Sequence, residues 1–460
     1  MWRRQRPRGA PRTFLRGGVH MDDRKAATAV LPIERFVPGR VVMPLSQHLG
    51  APARATVKRK AVVTRGDCIG ETGPDGAPIH ASVSGTVKRV ALLPHPTAVE
   101  GEAVEIEVDP SIQEPQWEER YGWQHLPRAL IVERVQAAGI VGLGGAAFPT
   151  HRKLRIPPEI TIDTVIINGA ECEPYLTSDH RVMLETPAEV LWGAVIMAQA
   201  VGAWQVVIGL ETNKDDAAQR LREAAQQCQC HWPVHIALCE TRYPQGSEKQ
   251  LIEALVGRAV PPGKLPMHVG VVVQNVATAV ACYHAVRYER PLLDRVITVT
   301  GGGIVTPKNL SVPIGTLVDD IVAACGGMHK RTAKVIAGGP MMGRALGRLD
   351  LPVIKGTGGL LFLRTDEVRP DCYGPCISCG KCLDVCPLGL EPNQISVYTE
   401  AGRALETESY GVQSCFECGC CSYVCPAQRP LVQFIQIAKS AFQRGTALGI
   451  AVRPGAGCHD

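Results

Sequence analysis

A chain of 460 residues is too long for a single hydrophobic core, because domains run to roughly 100 to 200 residues, so three or four are expected. With 45% hydrophobic and 20% charged residues, 47 Gly and 35 Pro, it is not a disordered chain but a set of buried cores joined by tight turns. The balance of 49 basic against 44 acidic residues, a net charge of +5 with 5% aromatics, excludes a nucleic-acid-binding surface.

The first 35 residues read as an arm. Arg3, Arg4, Arg6, Arg8, Arg12 and Arg16 occur with no acid among them and no apolar run behind, which excludes a Sec-type signal peptide. A disordered extension or a mis-assigned start is the plain reading, and contact with an anionic membrane surface the sharper one. Residues 36–115 are short β runs with turns, among them VVTRGDCIGETG and PIHASVSGTVKRV. These resemble the two halves of a lipoyl-like barrel-sandwich module. Ser84-Gly85 occupies the hairpin where an attachment lysine would sit, which implies docking and not a carrier.

Residues 116–292 read as an α/β domain. A helix-like PRALIVERVQAAG leads into IVGLGGAAFPTHRKL, where small residues let backbone amides approach a phosphate or a flavin and Lys153 adds charge. Without context this is equally a tight turn before a helix. The strand in TVIINGAECEPYLTSDH ends in Asn168, Glu171 and Glu173, where an open α/β sheet binds ligands or merely meets solvent. Thr186-Pro187 with Glu189 starts a helix. The apolar run from Val190 to Leu210 is interrupted by Gln199, Gly202 and Gln205, so it is a buried helix and a buried strand and not a membrane span. The polar helix TNKDDAAQRLREAAQQ follows, then YPQGSEKQLIEAL with Tyr243, Gly246 and Glu248, and GVVVQNVATAV with Gln274, Asn275 and Thr278.

These four segments, in this order, resemble the flavin domain of the NADH-binding subunit of respiratory complex I. The resemblance implies that Gly142, Gly144 and Lys153 hold the FMN phosphate region and that Asn168, Glu171, Gly246, Asn275 and Thr278 line the rest of the flavin. It places Phe148, Glu173 and Glu248 toward NADH. Ala170 and Ser247 stand where that family prefers acids, and Ala147 where glycine is usual. Catalysis would be flavin-borne, since such a protein only positions the reacting atoms, and no other segment offers a proton-transfer constellation.

Residues 293–364, with VITVTGGGIVTPKNLSVPIGTLVDDIVAACGG and KVIAGGPMMG, resemble the β-grasp (SLBB-type) module that follows that flavin domain, with nothing catalytic in it. In residues 365–445, PCISCGKCLDVCP and SCFECGCCSYVCP repeat the spacing C-x2-C-x2-C-x3-C-P. Three thiolates on a tight loop clasp a cubane and the fourth reaches the neighbouring cluster. On that pattern one 4Fe-4S cluster takes Cys376, Cys379, Cys382 and Cys425, and the other Cys386, Cys415, Cys418 and Cys421. Zinc is the alternative for any C-x2-C pair, but the third and fourth cysteines and the closing proline fit the bacterial ferredoxin run. Gly380 and Gly419 keep the loops narrow, while Cys372 and Cys420 fall outside the register. More than half of the 18 cysteines lie in this domain, mostly at ligand intervals, which places the chain in a reducing cytoplasm. Residues 446–460 are a tail.

The fold class is thus multidomain α/β and α+β: barrel-sandwich, complex I-like FMN/NADH-binding domain, β-grasp, and an α-helical double-cluster ferredoxin-like domain. With Arg16-Gly17-Gly18-Val19-His20 ahead of it, this order resembles the RnfC family, a component of the Rnf ion-translocating ferredoxin:NAD oxidoreductases, over nearly the whole chain. The resemblance implies an electron-transfer subunit working with FMN, NAD(H) and two 4Fe-4S clusters. It would sit peripherally on the cytoplasmic face of the bacterial inner membrane, beside integral membrane subunits and an iron-sulfur subunit, and serve ferredoxin or flavodoxin indirectly. Two other readings are a soluble NADH-dependent corrinoid reductase and a flavin-less electron-wiring scaffold.

Overall fold

The computed structural model describes residues 11–228, 232–368 and 372–444; Arg3, Arg4, Arg6 and Arg8 of the arm and the 446–460 tail lie outside the described residues. Two sheets form the barrel-sandwich. One orders Arg40–Pro44, Ala98–Val108, Gly85–His95 and Val62–Val63, and the other Arg54–Ala55, Cys68–Glu71 and Ile79–His80. Alternating side chains such as Val41, Met43, Ile69, Val104 and Ile106 fill the space between them. Ser84 is buried and accepts a hydrogen bond from the Arg65 amide at 2.9 Å, while a Cβ on Gly85 would overlap the Glu107 carbonyl oxygen. The Ser84-Gly85 pair is therefore packed into the module and not displayed on a hairpin tip.

The α/β domain is built on a four-stranded parallel sheet ordered Val234–Cys239, Gln205–Glu211, Thr164–Gly169 and Val271–Asn275. Its strands are near-continuous apolar runs because helices cover both faces. The helix Pro187–Val201 starts at the expected Thr186-Pro187 and ends at Gly202, whose φ of 73° suits a left-handed cap. It packs on the helix Val276–Tyr288 so closely that a Cβ on Gly193 would overlap the Ala279 carbonyl oxygen. The polar helix Asp215–Gln227 buries only Ala217, Ala218, Leu221 and Ala224, an amphipathic face laid on the sheet. The chain moves outward from Thr164–Gly169 on one side and returns on the other at Val271–Asn275, so a topological switch point lies between these two strands. In open α/β sheets that is where ligands bind, beyond the carboxyl ends.

The β-grasp module has a six-stranded sheet ordered Ile33–Arg35, Lys308–Pro313, Asp294–Thr300, Gly359–Arg364, Thr332–Ala337 and Arg344–Ala345, with the helix Val318–Ala324. Its edge strand Ile33–Arg35 comes from the arm and pairs in parallel with Lys308–Pro313. The cluster domain is helical, with Pro392–Glu400 and Leu431–Arg444 enclosing Ile395, Val412, Ile435, Ala438 and Ala441. Among the described residues no helix is long and apolar enough to cross a membrane.

Candidate functional site

At the switch point four loops meet, and most of the side chains expected to touch a flavin hold these loops in place. The Thr164–Gly169 strand delivers Asn168, whose Nδ2 donates to the Gly246 carbonyl at 2.7 Å and whose Oδ1 accepts from the Ala170 amide at 3.0 Å. Gly246 lies so near that a Cβ would overlap the Ala170 carbonyl oxygen. On the other side Asn275 caps the helix Val276–Tyr288, accepting from the Ala277 amide at 2.9 Å, and its Nδ2 donates to Asp179 at 2.6 Å. The glycine-rich loop is clamped at Leu143. Its N–H donates to Thr278 Oγ1 at 2.9 Å, and its carbonyl accepts from Arg295 of the β-grasp module at 3.0 Å. Gly144 rests against Asn275, and residues 144–146 are exposed, leaving a small-residue cradle over a helix N-terminus. A Cβ on Gly142 would make only ordinary contact, its nearest neighbour being the Phe148 carbonyl oxygen at 3.7 Å. Such a cradle fits the phosphate end of a mononucleotide.

Charge is concentrated around the crevice. Lys153 donates to Glu248 at 2.6 Å and to the carbonyl of Val273, midway along Val271–Asn275, at 3.2 Å. Phe148 is half-buried beneath the Arg152 guanidinium, 5.2 Å from its ring centre. Glu171 accepts from the Asp179 and His180 amides at 2.9 and 3.3 Å, compensating the positive end of the helix Ser178–Glu185. Beside it, burial and then the Glu171 charge push the Asp179 carboxyl up to about 7. Burial likewise raises Glu173 to about 7, although it accepts from the Met341 and Met342 amides at 3.1 and 2.8 Å. Arg295 is wholly enclosed, which lowers it to about 10 against the opposing pull of Asp179. Glu173 thus reaches a glycine-rich loop of the β-grasp module, in which the sequence shows nothing catalytic.

The thiols fall into two sets across the repeats. Cys376, Cys379, Cys382 and Cys425 line one cavity, which contains the fourth cysteine of the second repeat and not of the first. Cys386 meanwhile lies near enough to Cys415 and Cys421 for its charge to act on both, together with Cys418. The two copies match in backbone as well. Ser378 and Glu417 have φ of 52° and 63°, and Gly380 and Gly419 have 77° and 84° at the same places in the loop. Backbone amides of Leu390 and Glu417 donate to the sulfurs of Cys386 and Cys415 at 3.3 Å, as expected around cluster thiolates. The donor set, four thiols per site, fits 4Fe-4S clusters. Cys372 is half-buried and Cys420 buried.

Four family models match the chain in order: RnfC barrel sandwich hybrid domain over residues 13–111, Nuo51 FMN-binding domain over 135–284, SLBB domain over 296–345 and 4Fe-4S dicluster domain over 373–429. The C component of the proton-translocating ferredoxin:NAD(+) oxidoreductase complex of Clostridium ljungdahlii is 41% identical over 93% of this chain and 93% of its own. The C component of the ion-translocating oxidoreductase complex of Rhodobacter capsulatus is 41% identical over 92% and 82%. The Na(+)-translocating counterpart of Acetobacterium woodii is 41% identical over 92% and 96%. The chain belongs to the RnfC family. It is an electron-transferring oxidoreductase component with FMN- and 4Fe-4S-binding domains.

In this RnfC family member the second thiol loop is packed on the flavin domain. Tyr243, buried, donates its hydroxyl to the Cys418 carbonyl at 2.6 Å, and Val19, Cys172, Met341 and Phe416 close around the contact. Met341, whose amide donates to Glu173, has its carbonyl oxygen 2.9 Å from where a Gly419 Cβ would stand. Sequence reasoning missed Asp179, Arg295 and the Met341-Met342 pair. Asp179 had a signal, since a third acid follows Glu171 and Glu173 in the same segment. Arg295 had none, because a lone arginine at the head of a strand reveals nothing of the carbonyls it reaches, 62 and 152 residues away.

Proposed function

We propose that this chain is the NADH-facing electron-entry subunit of an ion-translocating complex, linking the crevice at the switch point to the two thiol sets. The observation that carries this reading is the direct contact of the Cys418 loop with Tyr243, at the same end of the sheet as the glycine-rich cradle. FMN, when bound, supplies the exchange between a two-electron donor and one-electron acceptors. The amides of residues 142–146 and Lys153 would receive its phosphate end. Asn168, Glu171, Gly246, Asn275 and Thr278 would shape the pocket chiefly by fixing the loops around it. Phe148 and Glu248 border the open side where a nicotinamide nucleotide would enter, and Glu173 would act between crevice and cluster loop through Met341 and Met342. The cluster held by Cys386, Cys415, Cys418 and Cys421 would lie nearer the flavin, and that held by Cys376, Cys379, Cys382 and Cys425 farther along.

With no membrane-crossing helix among the described residues, attachment to the cytoplasmic face of the inner membrane would come through integral membrane subunits and an iron-sulfur subunit. Anaerobic purification with iron, sulfide and flavin quantified tests the reading. About eight irons, about one FMN and bleaching by NADH are expected. Replacement of Glu248 by Gln should lower NADH oxidation on the order of tenfold with iron unchanged, because Lys153 loses its partner. About eight irons without flavin or bleaching would leave a wiring scaffold in its place.

A further inference from the structure

We propose that Arg16-Gly17-Gly18-Val19-His20, acting with Tyr243, is the positioning element that fixes the Cys386/Cys415/Cys418/Cys421 thiol set against the flavin crevice, and so sets the rate at which electrons reach it. The inference rests on the reading just given.

Each residue of the segment has a partner on one side or the other of the junction. Arg16 lays its guanidinium where a Cβ on Gly389 would stand, in the turn after Cys386. Gly17 has a φ of 67°, and a Cβ there would come 2.6 Å from the Cys386 carbonyl carbon and from the Val385 oxygen. Gly18, with a φ of 79°, donates its amide to the Val385 carbonyl at 2.8 Å, and a Cβ would meet the Phe14 ring at 2.6 Å and the Tyr243 oxygen at 2.7 Å. Both positions therefore demand glycine twice over, by backbone conformation and by space. Val19 and Tyr243 exchange backbone bonds at 2.8 and 2.9 Å in an antiparallel bridge. His20 stands 3.6 Å from Glu240. On the flavin-domain side the arm is sewn down further by Arg12, bonded to the Leu238 carbonyl and the Glu240 amide, and by Arg242, which donates to the Gly17 carbonyl and stacks on Phe14.

Two of these contacts end on one thiol set. Gly17 abuts the backbone of Cys386, the ligand that crosses from the first repeat, and Tyr243, held by Val19, donates to the backbone of Cys418. Neither contact touches the set of Cys376, Cys379, Cys382 and Cys425. Ordering an arm costs conformational entropy for every residue fixed, and the contacts of this segment that oppose the cost are made at this junction. Electron transfer depends on orbital overlap that decays within ångströms, so a small shift of the loop changes its rate before it changes its composition. Oxidation of one NADH to NAD+ and a proton would release two electrons, which the flavin would pass one at a time to the 4Fe-4S clusters that the two thiol sets would hold.

The test uses the full, loaded chain and the variants Gly17→Ala, Gly18→Ala and Tyr243→Phe under anaerobic rapid mixing with NADH. Flavin bleaching and cluster bleaching are followed separately, with iron and sulfide content and amide hydrogen exchange at Val19 and Tyr243 on the same samples. Expected are flavin bleaching within about twofold of the unaltered protein, cluster bleaching slower by at least about tenfold, full iron, and faster exchange in the glycine variants. Cluster bleaching within about twofold in all three variants, or slowing that only tracks lost iron, would overturn the proposal. If NADH fails to bleach the flavin of the unaltered protein, the functional reading falls instead. Exchange at Val19 and Tyr243 then still decides the arm, unaltered exchange in both glycine variants overturning it.

Discussion

At the scale of single residues, the site is governed by backbone geometry that few side chains tolerate. Ala147, at a place where the complex I pattern carries glycine, has a φ of 48°. An L-residue pays roughly 1 to 2 kcal/mol in that region, partly offset by the extra freedom glycine has when unfolded. Ala147→Gly should therefore raise stability by about 0.5 to 1 kcal/mol, seen as a higher urea midpoint at unchanged slope; an unmoved midpoint would contradict the strain. The carboxylates give the same lesson. Glu171 and Glu173 were legible as acids at a strand end and Asp179 was missed, and the tasks of the three differ by partner: one faces the start of a helix, one two amides of another module, one an asparagine cap. Pairing of this kind is invisible in spacing, because the partners lie 96 and 168 residues away for Asp179 and Glu173.

At the scale of elements, the cysteine repeats are the most legible feature, since a cubane imposes its ligand interval on one short loop. The exchange of the fourth cysteine between repeats gives an unequal expectation for two similar substitutions. Cys386→Ser should disturb the cluster of the second repeat, beside Tyr243, and Cys425→Ser that of the first. Each variant should keep about four of about eight irons. Electron paramagnetic resonance after dithionite reduction checks this: Cys386→Ser should lose the signal that NADH reduces first and Cys425→Ser should keep it, and the reverse assignment would refute cross-ligation. The helix Pro187–Val201 was also readable, but not its intimacy with Val276–Tyr288, which depends on Gly193 having no side chain opposite Ala279.

Across the whole molecule, three modules meet at Lys355, whose ammonium donates to the Pro78 and Gly139 carbonyls, both at 2.7 Å. His48 and His80 are buried beside it, and burial with the Lys355 charge pushes their rings from 6.5 down to about 4 and about 3. The unfolded chain thus binds protons on these rings from about pH 6.5 downward, while the folded one refuses them until far lower. Their contribution to stability is complete above pH 6.5 and is lost as the pH falls toward 4, amounting to about 2 kcal/mol per ring by pH 5. Acidification from pH 7 to 5 should lower the Tm, and by less in His80→Gln; equal losses in the two proteins would show that the ring is not responsible.

By itself the sequence determined the module order, the α/β core with its buried helix and strand between Val190 and Leu210, and the repeated cysteine spacing of a dicluster domain. Each is a local signal, carried by periodicity, by a capping residue or by a metal's demand on a few neighbouring positions. Only the tertiary structure decided that the arm supplies an edge strand to the β-grasp sheet, that Arg295 and Met341-Met342 help to build the flavin crevice, and that Gly17 and Tyr243 converge on one thiol set. Those decisions rest on backbone carbonyls and amides brought together over hundreds of residues. Every residue carries such groups alike, so nothing in the letters distinguishes the ones that will meet.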